Sequence, residues 1–290
     1  MQADGQAAVW TPPASITELF AKTAGNKFAA INAPTSGVRH EAVLPEGTAP
    51  VQLYSLATPN GNKVSILFEE LEELGVGFSY DAFMVDIGKG EQFGSGFVGI
   101  NPNSKIPCVR DKDGPDGQPI DLFESGSICM YFVDKFSVLG FQDNPRLRQE
   151  MMNWIFWQMG GQGPITGACF GHFFVYAPED QLEARDYGCA RYGMEVMRQC
   201  HVLETHLEKG DRKWLVGDQY SLADIMIFPW FHQLRVGYPH KSGLKANEFL
   251  NIPQYTKLNE WADRMLARGA VQRGVQVCSW SNPTNSKPWK

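Results

Sequence analysis

Between residues 51 and 136 a helical apolar spacing is set between runs of strand character, and a single Ile-Pro step divides the segment in two. Val51-Gln-Leu-Tyr-Ser-Leu56 reads as a strand and Ala57-Thr-Pro-Asn-Gly61 as a turn. Val64, Leu67, Phe68, Leu71 and Leu74 then recur along one face of a helix, with Gly75 where a C-cap glycine belongs. Phe78 to Val85 predicts a second strand. After Ile106-Pro107, Cys108-Val-Arg and Pro119-Ile-Asp-Leu-Phe123 predict two more, joined through Asp-Gly turns at 113–114 and 116–117. Ser125 opens a helix that carries Ile128, Tyr131, Phe132 and Phe136 on one side.

That order, β-α-β then β-β-α, is the thioredoxin-like arrangement, and Ile106-Pro107 opens its second half. Beyond about residue 145 the periodicity is helical, with Met151 to Met159, Gln181 to Glu208 and Ser221 to Val236 the clearest segments. Ser221-Leu-Ala-Asp224 has the spacing of a capping box, in which an N-cap hydroxyl and the acid three residues on satisfy each other's backbone amides. The expected fold class is therefore α/β plus all-α. An extended arm at 1–48 precedes a thioredoxin-like domain at 49–138, an all-helical domain at 145–278 and a polar tail at 279–290.

Charge and cysteine usage exclude several classes. The net charge of −6 and a pI near 5.6 argue against a nucleic-acid protein, which normally shows a basic face. No apolar run approaches the roughly 20 residues needed to span a bilayer. Met1-Gln-Ala-Asp-Gly-Gln lacks the basic start and apolar core of a secretory signal. The six cysteines, at 108, 129, 169, 189, 200 and 278, show neither CxxC spacing nor a metal-ligand rhythm, and the histidines form no HExxH pattern. A soluble, cytoplasmic protein without a metal is expected, with its thiols reduced.

Phe123-Glu-Ser-Gly-Ser-Ile128 carries the clearest chemistry. A strand runs straight into a helix there, and a free helix start presents unpaired N–H groups and the positive end of the macrodipole to an anion. A serine N-cap after a solvated glutamate is the plain alternative. Asn101-Pro-Asn-Ser-Lys-Ile-Pro107 lies upstream as a turn-rich loop along which a small peptide could align.

The pair of segments resembles the glutathione site of the glutathione transferase superfamily, over about residues 48 to 275. Thr58-Pro-Asn-Gly61, Asn153-Trp-Ile-Phe-Trp157, Gly171-His-Phe-Phe-Val-Tyr-Ala-Pro178 and, in the arm, Phe28-Ala-Ala-Ile-Asn32 are similar to the Nu class, relatives of the yeast prion nitrogen regulator. The resemblance implies glutathione-dependent disulfide reduction, with one or two glutathiones per site, a two-fold homodimer and a cis Ile106-Pro107 bond. It also assigns residues. Ser125 and Glu124 take the γ-glutamyl carboxylate and ammonium, while Ile106, followed by Pro107, pairs through its backbone with the cysteinyl part. Lys105 reaches the glycine carboxylate. Thr58 and Asn60 hold the sulfur as thiolate, the form that attacks. Arg191 and Asn32 contact a second glutathione, and Trp157, Gln158 and His172 stand near the pocket. No cysteine occupies the turn at 57–61, so the reactive sulfur belongs to glutathione. Cys108 reads as a small buried apolar residue. A conjugating transferase and a glutathione-binding regulator are the competing readings.

Overall fold

In the computed structural model, which describes residues 13–18, 35–178, 180–281 and 287–288, four short strands form one mixed sheet. They are β1 (Val51–Ser55), β2 (Tyr80–Met84), β3 (Cys108–Asp111) and β4 (Ile120–Phe123), in the order β2-β1-β3-β4. The helix α1 (Pro59–Glu73) crosses from β1 to β2, which pair in parallel. β3 runs antiparallel to both of its neighbours. The thioredoxin-like order is present, and Ile106-Pro107 is cis. The chain falls into two compact units, Met1–Ser36 and Gly37–Lys290, and the second carries all the elements described here.

Every residue of β1 is buried, as expected for a strand covered on both faces. On one face α1 and α3 (Ser125–Phe136) supply Leu67, Phe68, Ile128 and Phe132 to the main core. On the other, Tyr54 and Cys108 pack with Phe97 and Ile100 of a short helix, α2 (Ser95–Ile100), in a smaller cluster. The sequence reading does not contain α2, because Gly96 and Gly99 obscure its apolar spacing. The segment before β1 lies along this second face, where Tyr54 donates to Pro45 O at 2.8 Å and Arg39 N to Phe93 O at 2.9 Å.

The rest is helical: α4 (Pro145–Trp157), α5 (Leu182–Glu208), α6 (Leu222–Val236), α7 (Ala246–Phe249), α8 (Thr256–Leu266) and α9 (Gly269–Gly274). Between α4 and α5 the backbone widens into π-helical segments, Gln158–Gln162 and Pro164–Tyr176. π-helix is rare and tends to mark functional sites. A side chain at Gly167 would run into the ring of Trp230 on α6, so small residues let the two backbones close up.

Two anchors fix the elements that carry the site. Asp224, wholly buried, accepts from Ser221 N at 3.0 Å, Leu215 N at 3.1 Å and Trp261 Nε1 at 2.9 Å. The capping box forms as its spacing predicts. Secondly, the C-terminal end of the chain grips α1. Arg268 pairs with Glu70, Arg273 with Glu69 and Glu73, and Lys287 with Glu72, while Ser65 Oγ donates to Gly274 O at 2.7 Å.

Candidate functional site

Strand register brings three of the sequence motifs to one edge of the sheet. Tyr54 and Phe123 both stand opposite Cys108, so the end of β1, the Pro107 entry to β3 and the exit of β4 into Glu124 adjoin one another. The Thr58 turn, the cis-proline loop and the start of α3 therefore join the sheet at one edge.

Thr58 is the N-cap of α1, and its hydroxyl oxygen accepts from Gly61 N at 3.3 Å. With that lone pair engaged, the hydroxyl hydrogen is left to donate outward. Gly61 is required here, since a Cβ would collide with the Leu56 carbonyl oxygen. The first turn of α1 contains no acidic residue, so its dipole is not answered from within the helix. Asn60 is held by a contact from the helical domain: Trp230 Nε1 donates to its Oδ1 at 3.1 Å. An indole nitrogen only donates, which fixes the amide with its NH2 group as the free end.

Glu124 stands at the N-cap of α3 with φ 65 and ψ 116, a conformation of about 1–3 kcal/mol strain for a residue with a Cβ. Its side chain does not cap the helix, and the first turn of α3 carries no acid. The amides of that turn are therefore unanswered by any side chain of the cap. Ser125 is buried, and its Oγ accepts from Lys63 Nζ at 3.3 Å. Burial lowers the pKa of that lysine to about 7.

A cavity of about 350 Å³ opens between these elements and the π-helical segment. Asn60, Lys63, Glu124, Gln158, Met159 and Trp230 are among its walls. Gln158 is fully buried, yet neither its Oε1 nor its Nε2 has a hydrogen-bond partner among the described residues. A buried amide left open in a cavity wall is a ready contact for a polar ligand.

The other sequence candidates are placed less uniformly. Ile106 lies just outside the paired register of β3, half-buried against the smaller cluster. Lys105 is exposed, and its carbonyl accepts from Asn101 Nδ2 at 2.6 Å. Arg191 is exposed on α5 with its guanidinium 5.7 Å from the centre of the Tyr192 ring, and it does not line the cavity. Nor does His172, whose pKa burial lowers. Asn32 lies outside the described residues. Cys108 is fully buried and burial pushes its thiol up, so it stays protonated. Among the described residues no cluster of three His, Cys, Asp or Glu could hold a metal ion, and no helix is long and apolar enough to cross a membrane.

Residues 190–264 match the family model of the glutathione S-transferase C-terminal domain. The disulfide-bond oxidoreductase YghU of Escherichia coli is 44% identical over 282 residues, 97% of this chain and 90% of that protein. This chain belongs to the glutathione transferase family. Among solved glutathione transferases, YghU from Streptococcus pneumoniae, complexed with glutathione, superposes with a TM-score of 0.78 at 40% identity. The match covers 95% of this chain and 98% of that one. A glutathione transferase from Burkholderia graminis with two glutathione molecules bound per subunit gives 0.71 at 39% identity, covering 79% and 88% respectively.

Two parts of this glutathione transferase's site escaped the sequence reading. Lys63 precedes Val64 and lies one turn before Leu67, inside the apolar stripe of α1. A lysine in that stripe was itself a signal, because a buried cation needs a reason. Trp230 left no such mark, since α6 is apolar around most of its circumference and the tryptophan is one core-forming residue among many.

Proposed function

We propose that this glutathione transferase reduces disulfides with glutathione as the source of the thiolate. The observation that carries the reading is the open start of α3 next to the Thr58 turn. An acid-free helix N-terminus with a strained Glu124 and a buried Ser125 suits the γ-glutamyl end of glutathione, and a free hydroxyl hydrogen at Thr58 suits its sulfur. The names and bound ligands of the relatives support the same chemistry.

In this scheme residues 49–138 supply the clamp and residues 145–278 the opposite wall. Glu124 takes the ammonium and Ser125 the carboxylate of the γ-glutamyl group. The backbone of Ile106, set by Pro107, aligns the cysteinyl part, and Lys105 takes the glycine carboxylate. Thr58 and the free NH2 of Asn60 donate to the sulfur and favour the thiolate, helped by the α1 dipole. That thiolate attacks one sulfur of a small disulfide, the S–S bond breaks, and the departing half leaves as a thiol after taking a proton. A second glutathione, contacted by Gln158 and by Arg191, attacks the mixed disulfide as its thiolate. Glutathione disulfide and the second thiol leave. Two glutathiones are oxidised for each disulfide reduced.

Cys108, Cys129, Cys169, Cys189 and Cys200 are free thiols, which suits a reducing, cytoplasmic setting. Exposed Phe156, Tyr187 and Met194 on α4 and α5 suit a homodimer in which this helical face is covered.

The test is reduction of hydroxyethyl disulfide by glutathione, coupled to glutathione reductase, beside conjugation of chlorodinitrobenzene. Strong disulfide turnover that falls at least tenfold in Thr58→Ala, with feeble conjugation, is expected. Conjugation without disulfide turnover would make the protein a conjugating transferase instead.

A further inference from the structure

The disulfide-exchange scheme leaves one group at the cavity unused. Lys63 is fully buried, with its ammonium 3.3 Å from Ser125 Oγ and 3.4 Å from Met159 Sδ. Among the described residues no carboxylate forms an ion pair with it, whereas the buried Lys287 and the cations that grip α1 each pair with a glutamate. An unpaired charge at zero exposure is expensive, and the usual remedies are an anion or loss of the proton. The cavity beside it, at the unanswered start of α3, is where an anionic ligand group is expected to land.

Ser125 links the two. An ammonium only donates, so while Lys63 is charged Ser125 Oγ must accept from it and turns its own hydrogen elsewhere. A neutral amine accepts, and the same hydrogen then turns back to Lys63. The protonation state of the lysine thus sets the direction in which the serine donates.

We propose that Lys63 is a proton-linked positioning residue beneath the γ-glutamyl carboxylate. Arrival of the carboxylate holds Lys63 as ammonium, and the ammonium holds the Ser125 hydrogen toward the carboxylate. Glutathione binding then takes up a proton from solvent. The inference rests on the carboxylate binding at α3 and goes beyond it by adding a second, titrating partner.

The groups around the lysine fit this role. Burial brings its pKa to about 7, so in the empty cavity it is largely neutral at about pH 8. The titratable neighbours are Glu124, at the cavity rim, and Cys129 of α3, whose thiol burial pushes up to about 12 and keeps neutral. The π-helical segment presents Met159 and Gln158 and α6 presents Trp230, none of which titrates.

The experiment is calorimetric titration of S-methylglutathione into the full-length protein at about pH 8, in phosphate and in Tris, buffers of different ionisation enthalpy. The methylated ligand has no thiol to ionise, and uptake that disappears when Lys63 is replaced belongs to the lysine rather than to the ligand's α-amine. Wild type is expected to take up roughly 0.5–1 proton per bound ligand, with affinity falling up to tenfold per pH unit above about 7.5. Lys63→Met should bind more weakly and without proton uptake. Lys63→Arg, which keeps its charge, should bind without uptake and with a flat pH profile. Binding by wild type with heats independent of the buffer would overturn the role of Lys63 and leave the glutathione site intact. Absence of binding would overturn the site itself, and this inference with it.

Discussion

Two helices of this protein begin with a serine beside an acid, and they begin in opposite ways. At α6, Ser221 is buried and Asp224 turns back onto the helix start, accepting from Ser221 N and from Leu215 and Trp261. That end is closed. At α3, Ser125 is equally buried, but Glu124 points away and no side chain caps the turn. The ionisable group beneath each start differs in sign as well. Asp224 has the donors an acid needs, although burial still raises its pKa to about 6. No carboxylate among the described residues pairs with Lys63, and burial lowers its pKa to about 7. The same residue types make a closed structural cap where the chain supplies the counter-group and an open helix start where it withholds one.

The largest effect expected from this contrast is on stability against pH. Lys63 titrates at about 7 in the folded protein and 10.5 in the unfolded chain. Between those values the unfolded chain holds a proton that the folded one has lost, so stability rises with pH across the window and levels off below about 7, where both states are protonated. The gain totals up to about 5 kcal/mol. Unfolding in urea from pH 7 to 10 should show this slope in the ligand-free wild type relative to Lys63→Met. Parallel curves would mean the lysine is not the uncompensated charge the contrast requires.

Closing one helix and opening the other should also separate under mutation. Asp224→Ala strands three buried donors and is expected to destabilise by about 4 kcal/mol. Glutathione affinity of the fraction that folds should stay near wild type. Ser125→Ala should do the reverse, weakening glutathione binding by about 2 kcal/mol, or roughly 30-fold, with stability changed by under about 1 kcal/mol. Equal stability losses in the two variants, measured by denaturation, would erase the distinction. A smaller effect belongs to Trp230→Phe. Removing the donor that orients Asn60 should lower kcat by roughly fivefold, about 1 kcal/mol, while KM moves little.

Much of this was legible before the structure. The helix of residues 125–136, the capping box at 221–224 and the β-α-β then β-β-α succession of elements followed from periodicity and turn chemistry, because each is decided by neighbours in sequence. The second strand spans 80–84 rather than 78–85, a difference at its ends only. What escaped depends on distant contacts. Nothing near Asn60 announces that Trp230, on another helix, fixes its amide. The π-helical course of 158–176, along which Gly163 and Gly167 close on that same tryptophan, is one that α-helical periodicity cannot register. Gln158 stood near the pocket by resemblance, but the want of any partner for its amide is visible only in three dimensions. Lys63 was readable in principle, as a charge inside an apolar stripe. Its meaning needed Ser125 at its other end.

The central claim is that the Thr58 turn and the α3 start together hold glutathione as its thiolate. The direct test is the ultraviolet thiolate absorbance of bound glutathione, titrated with pH in wild type and in Thr58→Ala. The account requires ionisation at least one unit below the free thiol's ordinary value of about 8.5 in wild type, and a return toward it in the variant. Ionisation of bound glutathione at the free value in both proteins would contradict it.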